Sequence, residues 1–287
     1  MPPLWLMFPY IQRYSIGWRW GSGEDYANIF WKWFGSLSSK EQNLYKKMFP
    51  APKIWRGIYD KNYETKEEDE FYYRDIELWN ENGVWQYSRE KLVVEYTEKT
   101  EFLFFWKPQN GVINESCLGQ WQVSKFSVDV DEYSCAEQYM MAEKARLFED
   151  DEIRQRIMEA SDPKAIKALG KKVKNFDQTV WDKAKYSIVL NGNYYKFSQN
   201  KEMREYLIST ENKILVEASP LDTIWGIGLS KENTKAYNPN TWRGKNLLGF
   251  ALMEVRDELK NVYKNYSKID WEKYRKSINN CVRHHFT

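Results

Sequence analysis

Apolar positions in this chain follow two rhythms, helical spacing through much of its second half and short continuous or alternating runs elsewhere, and the two predict different elements. Glu24–Phe34 reads as a short helix, and Ser38-x-x-Glu41 is a capping-box signature opening a second one through Met48, stopped by Pro50 and Pro52. Lys61–Glu70 is charged and loop-like. Phe71–Trp79 and Lys91–Tyr96 have the β-branched and aromatic content of strands around an Asn82-Gly83 turn. Phe102–Trp106 is a short apolar run suited to a buried strand. Ala136–Phe148 is rich in helix formers, with Ser134 as the expected cap and Glu137 as the acid three residues on. Asp162-Pro163 opens a helix that Gly170 ends, in the proline-first, glycine-last order of helix termini. Asp177–Leu190 and Asn200–Ser209 predict two more helices, Ile214–Ala218 a strand, and Leu247–Leu259 a helix with one apolar stripe. Asn261–His285 predicts a final helical tail. The expected fold is a helix-rich α+β domain with a small sheet.

Composition divides the chain further. Of the 14 tryptophans, ten lie at or before Trp121, and residues 1–100 form an aromatic-rich accessory region. Those rings could stack bases, as in single-strand binders, or pack a core of their own. The expected organisation is therefore 1–100 accessory region, 101–260 catalytic-type domain and 261–287 helical tail. Lys+Arg at 43 against Asp+Glu at 41 gives a formal net charge of +2, so any nucleic-acid affinity must come from a local patch rather than a global field. Cys117, Cys135 and Cys281 are widely spaced and odd in number, which suits a reduced cytoplasmic protein better than a disulfide framework or a zinc site. Met1–Phe8 lacks the basic leader of a signal peptide, and no segment approaches the roughly 20 apolar residues of a spanning helix. Neither metal, cofactor nor membrane is expected.

Candidate chemistry gathers at two places. Glu217 and Asp222 flank a Ser-Pro turn at a strand end, where two carboxylates could stabilise an oxocarbenium-like transition state or cap the turn and form a salt bridge. Trp225-Gly226-x-Gly228 follows, a flat ring beside glycines that let the backbone approach a ligand, or a core tryptophan wedged by a turn. Lys245 and Asn246 precede the last long helix, where an ammonium and backbone N–H groups could hold phosphate. Glu137 and Lys144 stand two turns apart on one helix face. A lysine kept partly dry there is a nucleophile or an anion clamp; otherwise the pair is a capping acid and a solvated lysine. His284 and His285, close to the C-terminal end, are not assigned to catalysis.

An ordered set of motifs carries a resemblance. Glu137-Gln-Tyr-Met-Met-Ala-Glu-Lys144-Ala, Asp162-Pro-x-Ala-x-x-Ala-Leu-Gly170, Trp181, Lys196-Phe197, Leu215-Val-Glu217-Ala-Ser-Pro-x-Asp222-x-x-Trp225-Gly226-x-Gly228, Gly244-Lys-Asn246-Leu-Leu-Gly249 and Leu252-Met-Glu-Val-Arg256 stand in the order of the NADAR, or YbiA-like, family over roughly residues 102 to 260. The resemblance implies an N-glycosidase acting on phosphorylated riboflavin intermediates or removing ADP-ribose from guanine in nucleic acid. It points to Glu137, Lys144, Glu217 and Asp222 as catalytic and to Trp225, Gly226, Gly228, Lys245 and Asn246 as substrate-binding. The partner is then a small ribosyl phosphate or ADP-ribosylated guanine, in the second case with DNA. One departure stands out: Gly119 and Gln120 occupy the place of the family's usual serine and asparagine, so substrate contacts in that loop differ. A rival expectation is a module that binds ADP-ribose-like nucleotides without turnover and meets a partner through its N-terminal region.

Overall fold

The computed structural model describes residues 1–60, 79 and 84–274. The charged stretch Lys61–Glu70, the strand expected over Phe71–Trp79 apart from Trp79, the Asn82-Gly83 turn, Cys281, His284, His285 and the end of the expected tail helix lie outside the described residues. The chain divides into two compact units. One comprises residues 1–65, 127–131 and 258–287, the other residues 66–126 and 132–257.

The first unit contains α1 (Leu4–Met7), α2 (Gly21–Ser36) and α3 (Ser39–Met48). The capping box is present: Glu41 N–H donates to the Ser38 hydroxyl, and Ser38 N–H donates to the Glu41 carboxylate at 2.8 Å. Many of its described aromatics form a core, while Tyr14 and Trp20 are exposed. Trp5, Phe8, Tyr26, Phe30, Phe34, Tyr45 and Trp55 are buried and meet mostly edge-on or tilted, with Trp5–Trp55 at 5.7 Å and Trp18–Trp55 at 5.5 Å between centroids, the geometries that ring quadrupoles favour.

The second unit is built around two helices. α4 (Arg89–Glu95) comes first, then β1 (Phe102–Phe105), a short β2–β3 pair (Phe126–Val128 and Asp131–Tyr133, whose turn counts with the first unit), α5 (Ala136–Leu147), α6 (Asp151–Glu159), α7 (Pro163–Gly170), α8 (Gln178–Gln199), α9 (Lys201–Ser209), β4 (Ile214–Glu217) and α10 (Leu247–Tyr263, which counts with the first unit from Glu258 on). α5 is buried on nearly every side and packs on α6, α7 and α8. β1 and β4 pair in parallel, Phe102 opposite Ile214 through Phe105 opposite Glu217.

Three expectations are corrected. Lys91–Tyr96 is not a strand: Lys91–Glu95 lies in α4 and Tyr96 is its C-cap, because Ser88 caps the helix by accepting from Lys91 N–H and only Leu92 is buried. Ser134 does not cap α5. The N-cap is Cys135, without a side-chain bond, and the Ser134 amide and hydroxyl both donate to Gln138 Oε1 at 2.7 and 2.8 Å; the Glu137 carboxylate is thus left for other work. α8 runs on past Leu190 to Gln199 although Asn191-Gly192-Asn193 looks like a breaker. Packing overrides propensity there: a Cβ at Gly192 would lie 2.6 Å from the Tyr139 ring, Trp79 Nε1 donates to Asn191 at 2.6 Å, and Asn193 Nδ2 donates to the Val189 carbonyl at 2.8 Å.

Candidate active site

The parallel pairing of β1 and β4 puts Glu217 at the carboxyl end of a strand, where α/β sheets place their ligands. Asn246 holds that strand end. Its side chain is fully buried, accepting from Glu217 N–H at 3.0 Å and donating to the Leu215 carbonyl at 2.9 Å. Beyond β4 the chain turns back on itself. Asp222 Oδ1 accepts from the amides of Ile224 and Trp225 at 2.9 and 2.8 Å, which aims Oδ2 at Lys167 of α7, 3.9 Å away.

From the other side comes Glu137, at the start of α5 and 3% exposed. The loop that faces it is fixed by a buried lysine. Lys196 of α8 donates to the carbonyls of Cys117 and Gly119 at 2.6 and 3.0 Å, and Gln120 accepts from Asn193 at 3.2 Å through its side chain and from Glu137 N–H at 3.0 Å through its carbonyl. Trp121 follows, and its side chain hydrogen-bonds the Glu137 carboxylate. Burial, against two carbonyls and no carboxylate, draws the Lys196 ammonium down to about 8. Here lies the physical meaning of the departure at Gly119 and Gln120: both are committed to the scaffold, and Trp121 is the residue of this loop that reaches the carboxylate.

Glu137, Glu217 and Asp222 therefore form one electrostatic group. Burial pushes Glu137 up to about 7, opposed by Lys167 and Trp121 and reinforced by Asp222. Burial first, then the charges of Asp222 and Glu137, push Glu217 up to about 8. Both glutamates thus stand well above the usual carboxylate range, with burial as the first cause. Glu137 Oε1 and Glu217 Oε2 are buried without a hydrogen-bond partner. Unpaired buried carboxylate oxygens are costly and rare in a finished core, and burial together with specific charge partners makes such shifted groups candidates for function.

Lys144 has contacts of its own. Its ammonium donates to the Gly170 carbonyl at 2.8 Å and lies 4.1 Å from the Phe176 ring centroid and 5.5 Å from that of Trp181, with burial lowering its pKa. The cation that acts on both glutamates is Lys167. Nothing in the motifs drew attention to it, although its place on a helix ending at Gly170 was visible. Trp225 is half-buried and tied by its backbone to Asp222 and Leu248. Gly226 and Gly228 serve the chain's own turn: a Cβ at Gly226 would sit 2.8 Å from the Glu217 carbonyl, and Gly228 has φ +67°, open to glycine at little cost. Lys245 is exposed. The sequence thus named three carboxylates that the fold unites, and two residues, Asn246 and Lys144, whose polar atoms are engaged with backbone.

Residues 104–260 match the NADAR domain family. The chain belongs to that family. Among curated relatives, the N-glycosidase of Acanthamoeba polyphaga mimivirus is 44% identical over 166 residues, spanning 56% of this chain and 98% of the viral protein. An N-glycosidase of Nostoc punctiforme is 29% identical over 56% of this chain and 92% of its own length, and N-glycosidase YbiA of Escherichia coli is 25% identical over 58% and 93%. The NADAR match takes in every residue of the carboxylate group as well as Lys144, Lys167 and Lys196. Among the described residues no group of three or more His, Cys, Asp or Glu is placed to hold a metal ion, and no helix is long and apolar enough to cross a membrane.

Proposed function

We propose that this site hydrolyses the C–N bond between a base and the ribose of a ribose phosphate or ADP-ribose compound. That the chain is a hydrolase of N-glycosyl bonds follows from its family and from its similarity to N-glycosidases along nearly their whole length. The finer reading rests on one observation: Glu137, Glu217 and Asp222 are grouped about Lys167, with two carboxylate oxygens buried and unpaired.

Departure of the base leaves positive charge on the anomeric carbon and ring oxygen, and demands a proton on the leaving nitrogen. Asp222, fixed by two amides, faces that charge. The protonated partner of the Glu137–Glu217 pair gives its proton to the base, and the ionised partner takes one from the attacking water. A carboxyl held neutral near pH 7 suits the first task, since the best general acids titrate near the working pH. Lys167 offsets the repulsion among three acids. Trp225 offers its ring to the base, and Lys245 its ammonium to phosphate. Once water has displaced the base, the Lys144 amine condenses with the aldehyde of the ring-opened ribose, expelling water, and hydrolysis of that Schiff base releases the sugar and restores the lysine; its lowered pKa supports this, and its bond to Gly170 has to break for it.

The test is incubation of the purified protein with a ribosylated pyrimidine phosphate intermediate of riboflavin synthesis and, separately, with DNA carrying ADP-ribosyl-guanine, with products identified by mass. Release of free base and ribose phosphate, or of ADP-ribose, supports the reading. Recovery of both compounds intact despite tight binding would make the chain a nucleotide-binding module. Borohydride added during turnover should leave an adduct on Lys144, and its absence would remove the covalent step.

A further inference from the structure

Trp121 is gripped from both sides along the chain. Before it, Lys196 donates to the Cys117 and Gly119 carbonyls. After it, the buried Gln122 accepts from Gln109 N–H at 2.9 Å and returns its side-chain amide to the Gln109 carbonyl at 3.1 Å. The Gln120 carbonyl accepts from Glu137 N–H at 3.0 Å, which ties this loop to the start of α5. A tryptophan held in this way presents a fixed indole, and its side chain bonds the Glu137 carboxylate.

An indole N–H donates and never accepts. It therefore favours the ionised form of the carboxylate it meets. The other groups that face the pair do not separate the two glutamates. Lys167, its ammonium 3.9 Å from Asp222 and 5.8 Å from the Trp121 ring centroid, favours ionisation of both, and Asp222 opposes it in both. Cys135, just before α5, is kept a neutral thiol by its own burial. What differs is the hydrogen bond. Among the described residues none donates to the Glu217 carboxylate, whose Oε2 is buried without a partner.

We propose that Trp121 divides the work between the two glutamates: by donating to Glu137 it keeps that carboxylate ionised to receive a proton from the attacking water, and leaves Glu217 as the acid that protonates the departing base. This rests on the N-glycosidase reading above. The electron pair of the C–N bond leaves with the base, which takes the Glu217 proton. Water bonds to the anomeric carbon and gives a proton to Glu137, and exchange with solvent returns both carboxyls to their starting states. Trp121 is a positioning residue in this scheme, since it acts through Glu137.

Carboxyl NMR of carbon-13-labelled glutamate tests the proposal without a substrate. The full chain and Trp121→Phe are titrated across the neutral range, with the two signals assigned through Glu137→Gln and Glu217→Gln. In the parent, Glu137 should ionise at lower pH than Glu217. Trp121→Phe keeps a ring and removes the N–H, so the Glu137 midpoint should rise by about one pH unit, the size of one hydrogen bond to a charged group, while Glu217, relieved of a neighbouring charge, ionises more easily. Lys167→Met should instead raise both midpoints. If Trp121 only fills space, its loss admits water and both midpoints fall toward the ordinary carboxylate range, which would overturn the proposal, as would a parent in which Glu217 ionises first. On whichever of the two ribosyl compounds the parent cleaves, the acid limb of the pH profile for base release should move up with the Glu137 midpoint in Trp121→Phe; an unmoved limb would also overturn it. Recovery of both compounds intact from the parent, with the expected order of ionisation, would count against the glycosidase reading alone.

Discussion

Polar atoms in the aromatic core of the first unit and in the carboxylate site of the second are treated in opposite ways. In the first, burial is answered: Tyr26 donates to the Pro2 carbonyl at 2.7 Å, Tyr45 to Met1 at 2.8 Å and Tyr59 to Phe49 at 3.0 Å, with Trp5 Nε1 an exception. Desolvation raises all three phenols above their ordinary range, so they stay neutral and do nothing that pH can alter. In the second unit, carboxylate oxygens are buried without partners and titrate near neutrality. A region that satisfies its polar groups is built for stability; one that leaves acids unsatisfied stores free energy for a ligand or a transition state.

The hardest test of this contrast is Lys196→Met. It removes two hydrogen bonds from buried carbonyls and frees the loop that carries Trp121. At about 1–3 kcal/mol for each of two unsatisfied groups, and about 2–4 °C per kcal/mol in a domain of this size, melting should fall by roughly 4–24 °C, as calorimetry would show. An unchanged melting temperature would mean that the lysine does not hold the loop.

Next comes pH. Both glutamates are pushed above their usual 4.5, so the folded state binds protons that the unfolded state has released. By linkage their contribution is most favourable below pH 4.5, declines as pH rises toward about 8, and is level beyond. Thermal scans across that window should show the decline in the parent and a shallower one in Glu137→Gln and Glu217→Gln. An identical slope in all three proteins would deny the shift. Tyr45→Phe should have the smallest effect, about 1 kcal/mol from the lost bond to Met1, with base release untouched; a loss of turnover there would erase the distinction between the units.

How much of this was readable in advance varied by residue. α3, α7 and β4 announced themselves through a capping box, an Asp-Pro start with a terminal glycine and an apolar run. Local signals failed where distant contacts decide the outcome. Gly192 reads as a helix breaker until Tyr139 is seen packed over it, and Lys91–Tyr96 reads as a strand although Ser88 caps a helix there. The same holds at the site. Glu217 and Asp222 lie five residues apart in the chain, so their partnership was visible, and Glu137 joined them through family motifs. Lys167 comes from a separate helix, and only the fold shows it facing Asp222. Lys144 shares a face with Glu137 along α5, yet helical spacing does not tell which way a long side chain turns, and its amine goes to Gly170.

The central claim is that the buried carboxylates on one face of the β1–β4 sheet cleave an N-ribosyl bond. It is tested most directly by the single-turnover rate of base release in Glu217→Gln and Asp222→Asn beside the parent, with folding checked by melting temperature. Loss of one of these groups should slow release by about 10²–10⁴-fold, with melting within a few degrees of the parent. Parental rates in both folded variants would contradict the account.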